Sequence, residues 1–232
     1  MRRLARGRSA LSPGVAVAAP VSFQSDRQDA PATSATTQAP SSMGRPMVID
    51  RRDMAISAGP FDASDDMRPL SAIDRILIHR NTAGGSLDEV RRFHAENGPE
   101  QLRLFPYHFF LDYDSDDKDG SNGYGNILVQ QVHALDIKSP HAGGENRRAV
   151  GIAINVDGRR YAPSGEMLVA LSVLCARIHA AFPRASIRGH SQLKQCPGKL
   201  VPVQWIAARS AMMAQTMGST PLADAGIRRN HE

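Results

Sequence analysis

Apolar positions recur along the chain at two periods, and the switches between them predict most of the elements. Arg75-Ile76-Leu77-Ile78-His79 is short and β-branched, and reads as a buried central strand. The turn Asn81-Thr82-Ala83-Gly84-Gly85 closes it. Ser86-Leu87-Asp88-Glu89 then matches a capping box, and Leu87, Val90 and Phe93 follow at helical spacing. The spacing predicts an amphipathic helix over 87–96, stopped by Asn97-Gly98-Pro99. Tyr107 to Asp112 and Asn126 to Val132 read as two strands pairing as a hairpin across a polar turn. Ala149 to Val156 is another buried strand. Behind a capping Ser164, Leu168, Leu171, Cys175, Ile178 and Phe182 recur at steps of three and four, marking a helix. Ala185-Ser186-Ile187 is a short strand, and a last helix is expected from Val203 through Met213, anchored by Trp205. This order predicts an α/β chain with a single mixed central β-sheet flanked by helices.

The two ends have a different composition. Residues 1–45 are rich in Ala, Ser, Thr, Pro and Gln and cannot bury enough apolar area to offset ordering entropy, so a disordered leader is expected. Residues 46–72 read as an irregular lead-in, 73–216 as the folded domain and 217–232 as a loose tail. The net charge is +5, but Arg2, Arg3, Arg6 and Arg8 carry four of those five charges. The body is nearly balanced and gives no reason to expect a nucleic-acid partner. No run of 18 apolar residues exists, so no membrane insertion is expected. The N-terminus only loosely imitates a secretion signal: its apolar part, Val15 to Ala19, is short and follows Pro13-Gly14. The acidic turn at 114–123 resembles a calcium loop only in part. Counted from Ser115, its twelfth position is Asn126 rather than the required Glu.

The chemistry concentrates in Ile187 to Leu200, which places His190, Lys194 and Cys196 within seven residues before Pro197-Gly198. Imidazole nitrogen and thiolate sulfur are preferred zinc donors, so His190 and Cys196 form a candidate pair. His79, at the tip of a buried strand, is the candidate third ligand, although a lone histidine there is more often a satisfied hydrogen-bonding residue. Three protein ligands and an open position are the pattern of catalytic zinc. Cys196 also reads as a nucleophile activated by His190, but no orienting acid is evident. Cys175, on an apolar helix face, reads as an inert buried thiol, and one disulfide between the two cysteines would not make a disulfide scaffold. Lys194 is either a solvated loop lysine or a cation for a developing oxyanion. Tyr107 is either a core aromatic or a second donor to the same oxyanion, and His141, in a Gly-rich loop, is a candidate groove residue. His108 alternates away from Tyr107, so the two should not share a face.

These residues fall in ordered blocks: I-L-I-H-R-N-T-A (76–83), R-R-F-H (91–94), Y-H-F-F-L-D (107–112), H-A-G-G-E-N (141–146), V-G-I-A-I-N-V (150–156) and G-H-S-Q-L-K-Q-C-P-G (189–198). In that order they resemble the type-2 zinc N-acetylmuramoyl-L-alanine amidases, which include amidase-type phage lysozymes and animal peptidoglycan recognition proteins. The resemblance implies Zn2+ held by His79, His190 and Cys196, catalytic roles for Tyr107 and Lys194, and substrate contacts from His141 and Asn146. It implies hydrolysis of the amide between N-acetylmuramic acid and L-alanine, with peptidoglycan as the partner and a monomeric protein. A non-catalytic peptidoglycan-binding module is the alternative, and a Cys196/His190 cysteine hydrolase a third reading. Where the protein resides is left open: it acts on the cell wall from a cytoplasmic endolysin-like pool or after secretion. The turn at 114–123 is longer and more acidic than the family leads one to expect, and the segment between His190 and Cys196 is short.

Overall fold

The computed structural model describes residues 48–57, 61–81, 85–97, 103–113, 127–190 and 195–217, together with the backbone of 227–228. The expected leader, most of the tail, the acidic turn and Lys194 lie outside the described residues. The elements are β1 (Val48–Asp50), α1 (Ala63–Asp66), β2 (Arg75–Arg80), α2 (Leu87–Asn97), β3 (Phe109–Tyr113), β4 (Ile127–Gln131), β5 (Ala149–Ile154), α3 (Gly165–Ala181), β6 (Ser186–Gly189), α4 (Val203–Met217) and β7 (Ile227–Arg228). The strands form one mixed sheet in the order β6-β2-β5-β3-β4-β1-β7. β6, β2, β5 and β3 are mutually parallel, β4 returns antiparallel to β3, and β1 runs parallel to β4.

Side chains of a strand alternate between faces, so β2 serves two layers. Ile76 and Ile78 join Val150, Ile152 and Ile154 in a core covered by Met167, Leu171, Leu174 and Ile178 of α3 and Ile206 of α4. Each aliphatic side chain fully buried there contributes about 1.5–3 kcal/mol. Leu77 and His79 point to the other face, where Leu87 and Val90 of α2 pack with Phe105, Phe110 and Ala153. α3 has buried residues around most of its circumference because it lies between the sheet and α4. The Ser210 hydroxyl of α4 donates to the Ser172 carbonyl of α3 at 3.0 Å, which ties the two helices.

The predicted α2 forms with its capping box: Ser86 N–H donates to Glu89 Oε2 at 2.7 Å. Ser164 caps α3 by accepting from Met167 N–H at 3.1 Å. The hairpin of β3 and β4 pairs Phe109 with Gln131 and Tyr113 with Ile127. Four details differ from the pattern. The lead-in holds a strand, β1, because Val48 and Ile49 find the free edge of β4. Phe93 is 47 % exposed, so the buried residues of α2 are Leu87 and Val90. Tyr107 and His108 precede β3 rather than belonging to it. Trp205 does not anchor α4: it is 45 % exposed with the Arg209 guanidinium 5.2 Å over its ring, while Ile206 and Ser210 face inward.

Candidate metal centre

Strand register brings the two ligand histidines together. Ile78 pairs with Gly189 across the parallel β2–β6 ladder, so the next residues, His79 within β2 and His190 just past β6, stand side by side. His190 N–H donates to the Ile78 carbonyl at 3.0 Å, and the two imidazole centroids stand 4.4 Å apart. Cys196 returns to this point on the following turn, with Sγ 3.9 Å from His79 Nδ1. The donor atoms of His79, His190 and Cys196 all lie within 4.8 Å of one another. Tetrahedral zinc with ordinary Zn–N and Zn–S bonds sets neighbouring N and S donors about 3.6 Å apart, so this donor set fits zinc after small side-chain adjustments.

The turn carrying Cys196 rests on a backbone contact that only glycines permit. Gly198 has φ +114°, and a Cβ built there would lie 2.2 Å from the Gly158 carbonyl carbon. Leu200 N–H donates to the Gly158 carbonyl at 3.0 Å, which closes the contact. The 157–160 turn is in turn linked to β2, since Arg80 Nη1 donates to Asp157 Oδ1 at 3.2 Å. Bonding to Arg159, with the Arg80 charge adding to it, holds the Asp157 carboxyl at about 2. At the end of β5 a polar chain fixes the same rim: Asn81 donates to Asn155, which donates to Asp112 at 2.7 Å and to the Gly85 carbonyl.

Burial sets the protonation states. His79 is pushed well below the usual imidazole range by desolvation and then by the neighbouring His141 and His190, so its ring is neutral at neutral pH. Desolvation raises the Cys196 thiol, and the backbone bond and charge of Arg80 oppose that rise. Metal binding at Cys196 therefore displaces a proton. Tyr107 sits with its ring centroid 5.2 Å from that of His79. Burial and the Cys196 charge raise its phenol, keeping it a hydrogen-bond donor.

The remaining sequence candidates take other positions. His141 is 7 % exposed and turned inward, with Nδ1 3.0 Å from His79 Nε2. Asn146 ties its own loop, accepting from Ala142 N–H at 2.7 Å. His108 is buried against Arg68 and Ser139. A groove of about 1030 Å³ opens beside the donors, lined among others by Arg188, His190, Gln195, Cys196 and Trp205. Sequence reasoning missed Gly151, although an isolated glycine within a strand is a signal of close approach. A Cβ there would lie 2.6 Å from His141 Cγ, so the absent side chain makes room for the ring. It also missed Arg68, 4 % exposed, for which the sequence carries no signal.

A mixed sheet whose parallel strands set two imidazoles side by side, with a thiol returning from the turn after β6, defines an α/β protein with a three-donor centre beside a groove. A family model described as N-acetylmuramoyl-L-alanine amidase (Amidase_2) matches residues 69–199, more than half of the chain, and the chain belongs to that family. Among solved structures it is similar to the N-acetylmuramoyl-L-alanine amidase LysC from Clostridium intestinale, at 18 % identity over 70 % of this chain and 95 % of that one, TM-score 0.50. The Ph2119 endolysin of a Thermus scotoductus bacteriophage matches at 18 % identity, 70 % and 98 % coverage and TM-score 0.50. Drosophila peptidoglycan recognition protein SA matches at 19 % identity, 69 % and 90 % coverage and TM-score 0.51. At these identities the likeness shows the fold. No curated protein sequence matches. Among the described residues no helix is long and apolar enough to cross a membrane.

Proposed function

We propose that this protein is a zinc-dependent amidase that cleaves the bond between N-acetylmuramic acid and L-alanine in peptidoglycan. The observation that carries the reading is the convergence of His79, His190 and Cys196 within 4.8 Å in a chain of the amidase family. His79 and His190 as neutral imidazoles and Cys196 as thiolate would hold the ion. Bound zinc supplies Lewis acidity, bringing the pKa of water toward about 7 and polarising a carbonyl. The groove beside the donors takes the glycan and the start of the stem peptide. Tyr107 remains a neutral phenol and donates to the carbonyl oxygen as negative charge develops there. Lys194, two residues before Cys196, is the second candidate donor to the same oxygen. Oxygen from water bonds to the lactyl carbonyl carbon, the C–N bond breaks, and the departing alanine amine takes up a proton.

The test is digestion of purified peptidoglycan followed by mass spectrometry. Expected products are stem peptides with a free L-alanine amino terminus, absent after chelation, restored by zinc and absent with Cys196→Ser. Undiminished cleavage after exhaustive chelation, and by Cys196→Ser, would sink the metal mechanism. The likeness to a recognition protein supports a second reading, binding without cleavage. Zinc-loaded protein that sediments with peptidoglycan but releases no peptide would establish it.

A further inference from the structure

We infer that His141 is a positioning residue that holds His79 in the tautomer that leaves Nδ1 bare for the metal. The inference rests on the zinc reading above and deepens it. A backbone carbonyl can only accept a hydrogen bond. His141 Nε2 lies 3.2 Å from the Ala149 carbonyl oxygen, so that nitrogen carries the proton. A neutral imidazole has one N–H, which makes His141 Nδ1 an acceptor. His79 Nε2 lies 3.0 Å from it and must donate. The proton of His79 is thereby placed on Nε2, and Nδ1, the atom 3.9 Å from Cys196 Sγ, keeps its lone pair. The two ring planes are twisted by 89°, which a bond along the line between two in-plane ring nitrogens permits.

The protein has built space for this contact. Gly151 of β5 pairs with Leu77, and the Cβ it lacks would occupy the place of the His141 ring. The partner of a metal-bound histidine is more commonly a carboxylate or a carbonyl. Here a second histidine stands between the ligand and the carbonyl, so the orienting bond is neutral throughout. A neutral relay orients His79 without adding negative charge beside a centre that already contains a thiolate.

The experiment reads the tautomer and the metal separately. Nitrogen-15 spectra of the metal-free full chain should show His79 protonated on Nε2, with a scalar coupling across the hydrogen bond to His141 Nδ1. A proton on Nδ1 of His79, or on Nδ1 of His141, overturns the inference whatever the metal does. Zinc titration should then show His141→Ala binding about 10–100-fold more weakly than the unaltered chain. His141→Asn, whose Oδ1 replaces the Nδ1 acceptor, should recover most of that loss. A variant affected only through packing would not be rescued by asparagine, which is smaller than the imidazole. Gly151→Ala keeps every ligand and should weaken zinc in the same direction by displacing the ring. Equal zinc affinity in His141→Ala and the unaltered chain overturns the inference alone. An unaltered chain that takes up no zinc overturns the reading on which it rests.

Discussion

Two neighbouring groups of histidines are built differently. In one, His79 Nδ1 and the donor atoms of His190 and Cys196 converge on each other beside an open groove. In the other, ring nitrogens are engaged by the protein itself. His108 Nδ1 accepts from Gly151 N–H at 3.0 Å and Nε2 lies 2.8 Å from the Ile137 carbonyl, while His133 Nε2 lies 2.7 Å from the Phe105 carbonyl. Arg68 completes this second group, donating to the Leu135, Asn146 and Ala149 carbonyls. Apart from His133 Nδ1, which finds no partner among the described residues, the polar atoms of this group are matched within the chain, and residues matched in this way hold segments in place. Residues whose metal-donor atoms converge on one another, as in the first group, form a candidate metal site. His141 stands between the two groups, 5.8 Å from His108 and 5.0 Å from His79 by ring centroid.

The largest effect that separates the groups is loss of a converging donor. Changing Cys196 to Ser should remove zinc at neutral pH and reduce peptide release to that of the blank, with little change in the metal-free melting temperature. Changing Cys175 to Ser should do the reverse. Cys175 is fully buried in α3, its thiol pushed up by desolvation, so the variant should bind zinc normally and melt lower. Metal analysis and calorimetry on the two variants check this. Zinc retained by Cys196→Ser would break the distinction between the two thiols.

Next in size is the response of the metal-free protein to acid. His79 and His108 lie well below the usual range, and burial holds His133 at about 4 and His141 at about 3. In the unfolded chain each titrates near 6.5. Below that pH the unfolded state binds protons that the native state refuses, so stability falls as pH drops from about 6.5 toward 4. It is flat above about 6.5, because both states are then neutral at these groups. Each histidine contributes at most about 1.4 kcal/mol per pH unit in that window, so the four together amount to several kcal/mol. Urea midpoints at pH 7.5, 6 and 5 in the presence of chelator should decline steeply over the last two points. A constant midpoint would mean that these rings are charged or solvated in the native state.

How far either group can be read from the residues alone depends on distance along the chain. The short apolar runs at 76–78 and 150–156 expose their strands because alternate positions report burial directly, and the caps at Ser86 and Ser164 are local bonds. His79, His190 and Cys196 were recognisable as candidates by donor chemistry and by the family's blocks. Their adjacency was not, because it rests on the Ile78–Gly189 register, fixed by packing of α3 and α4, which lie far along the chain from β2. The inward turn of His141 depends on a side chain missing from Gly151, a contact between two segments that no periodicity reports. Trp205 misled for a related reason. Size suggests an anchor, but the face of α4 that is buried is chosen by α3, and it carries Ile206 and Ser210.

A smaller effect tests the second group. His108→Ala leaves Gly151 N–H, the Ser139 hydroxyl and the Ile137 carbonyl without a ring partner and opens a cavity at a fully buried position. The cost should be about 2–4 kcal/mol in denaturant unfolding. Folded protein should still bind one zinc per chain. If His108→Ala instead abolished zinc at unchanged stability, the division between holding and binding histidines would be misplaced.

The smallest expected effect calibrates the others. Ser164 caps α3 at the opposite side of the sheet from His79, through one bond from Met167 N–H. Ser164→Ala removes that acceptor and leaves the N–H to water, for a loss of about 1 kcal/mol. α3 backs β2 through Ile76 and Ile78 and not through His79, which points the other way, so zinc affinity should be unchanged within error. If a loss of that size weakened zinc as strongly as His141→Ala, the metal centre would be responding to global stability. Weakening by His141→Ala would then carry no information about the bond between the two rings. With Ser164→Ala silent in the titration, an affinity change at His141 or Gly151 belongs to the centre itself.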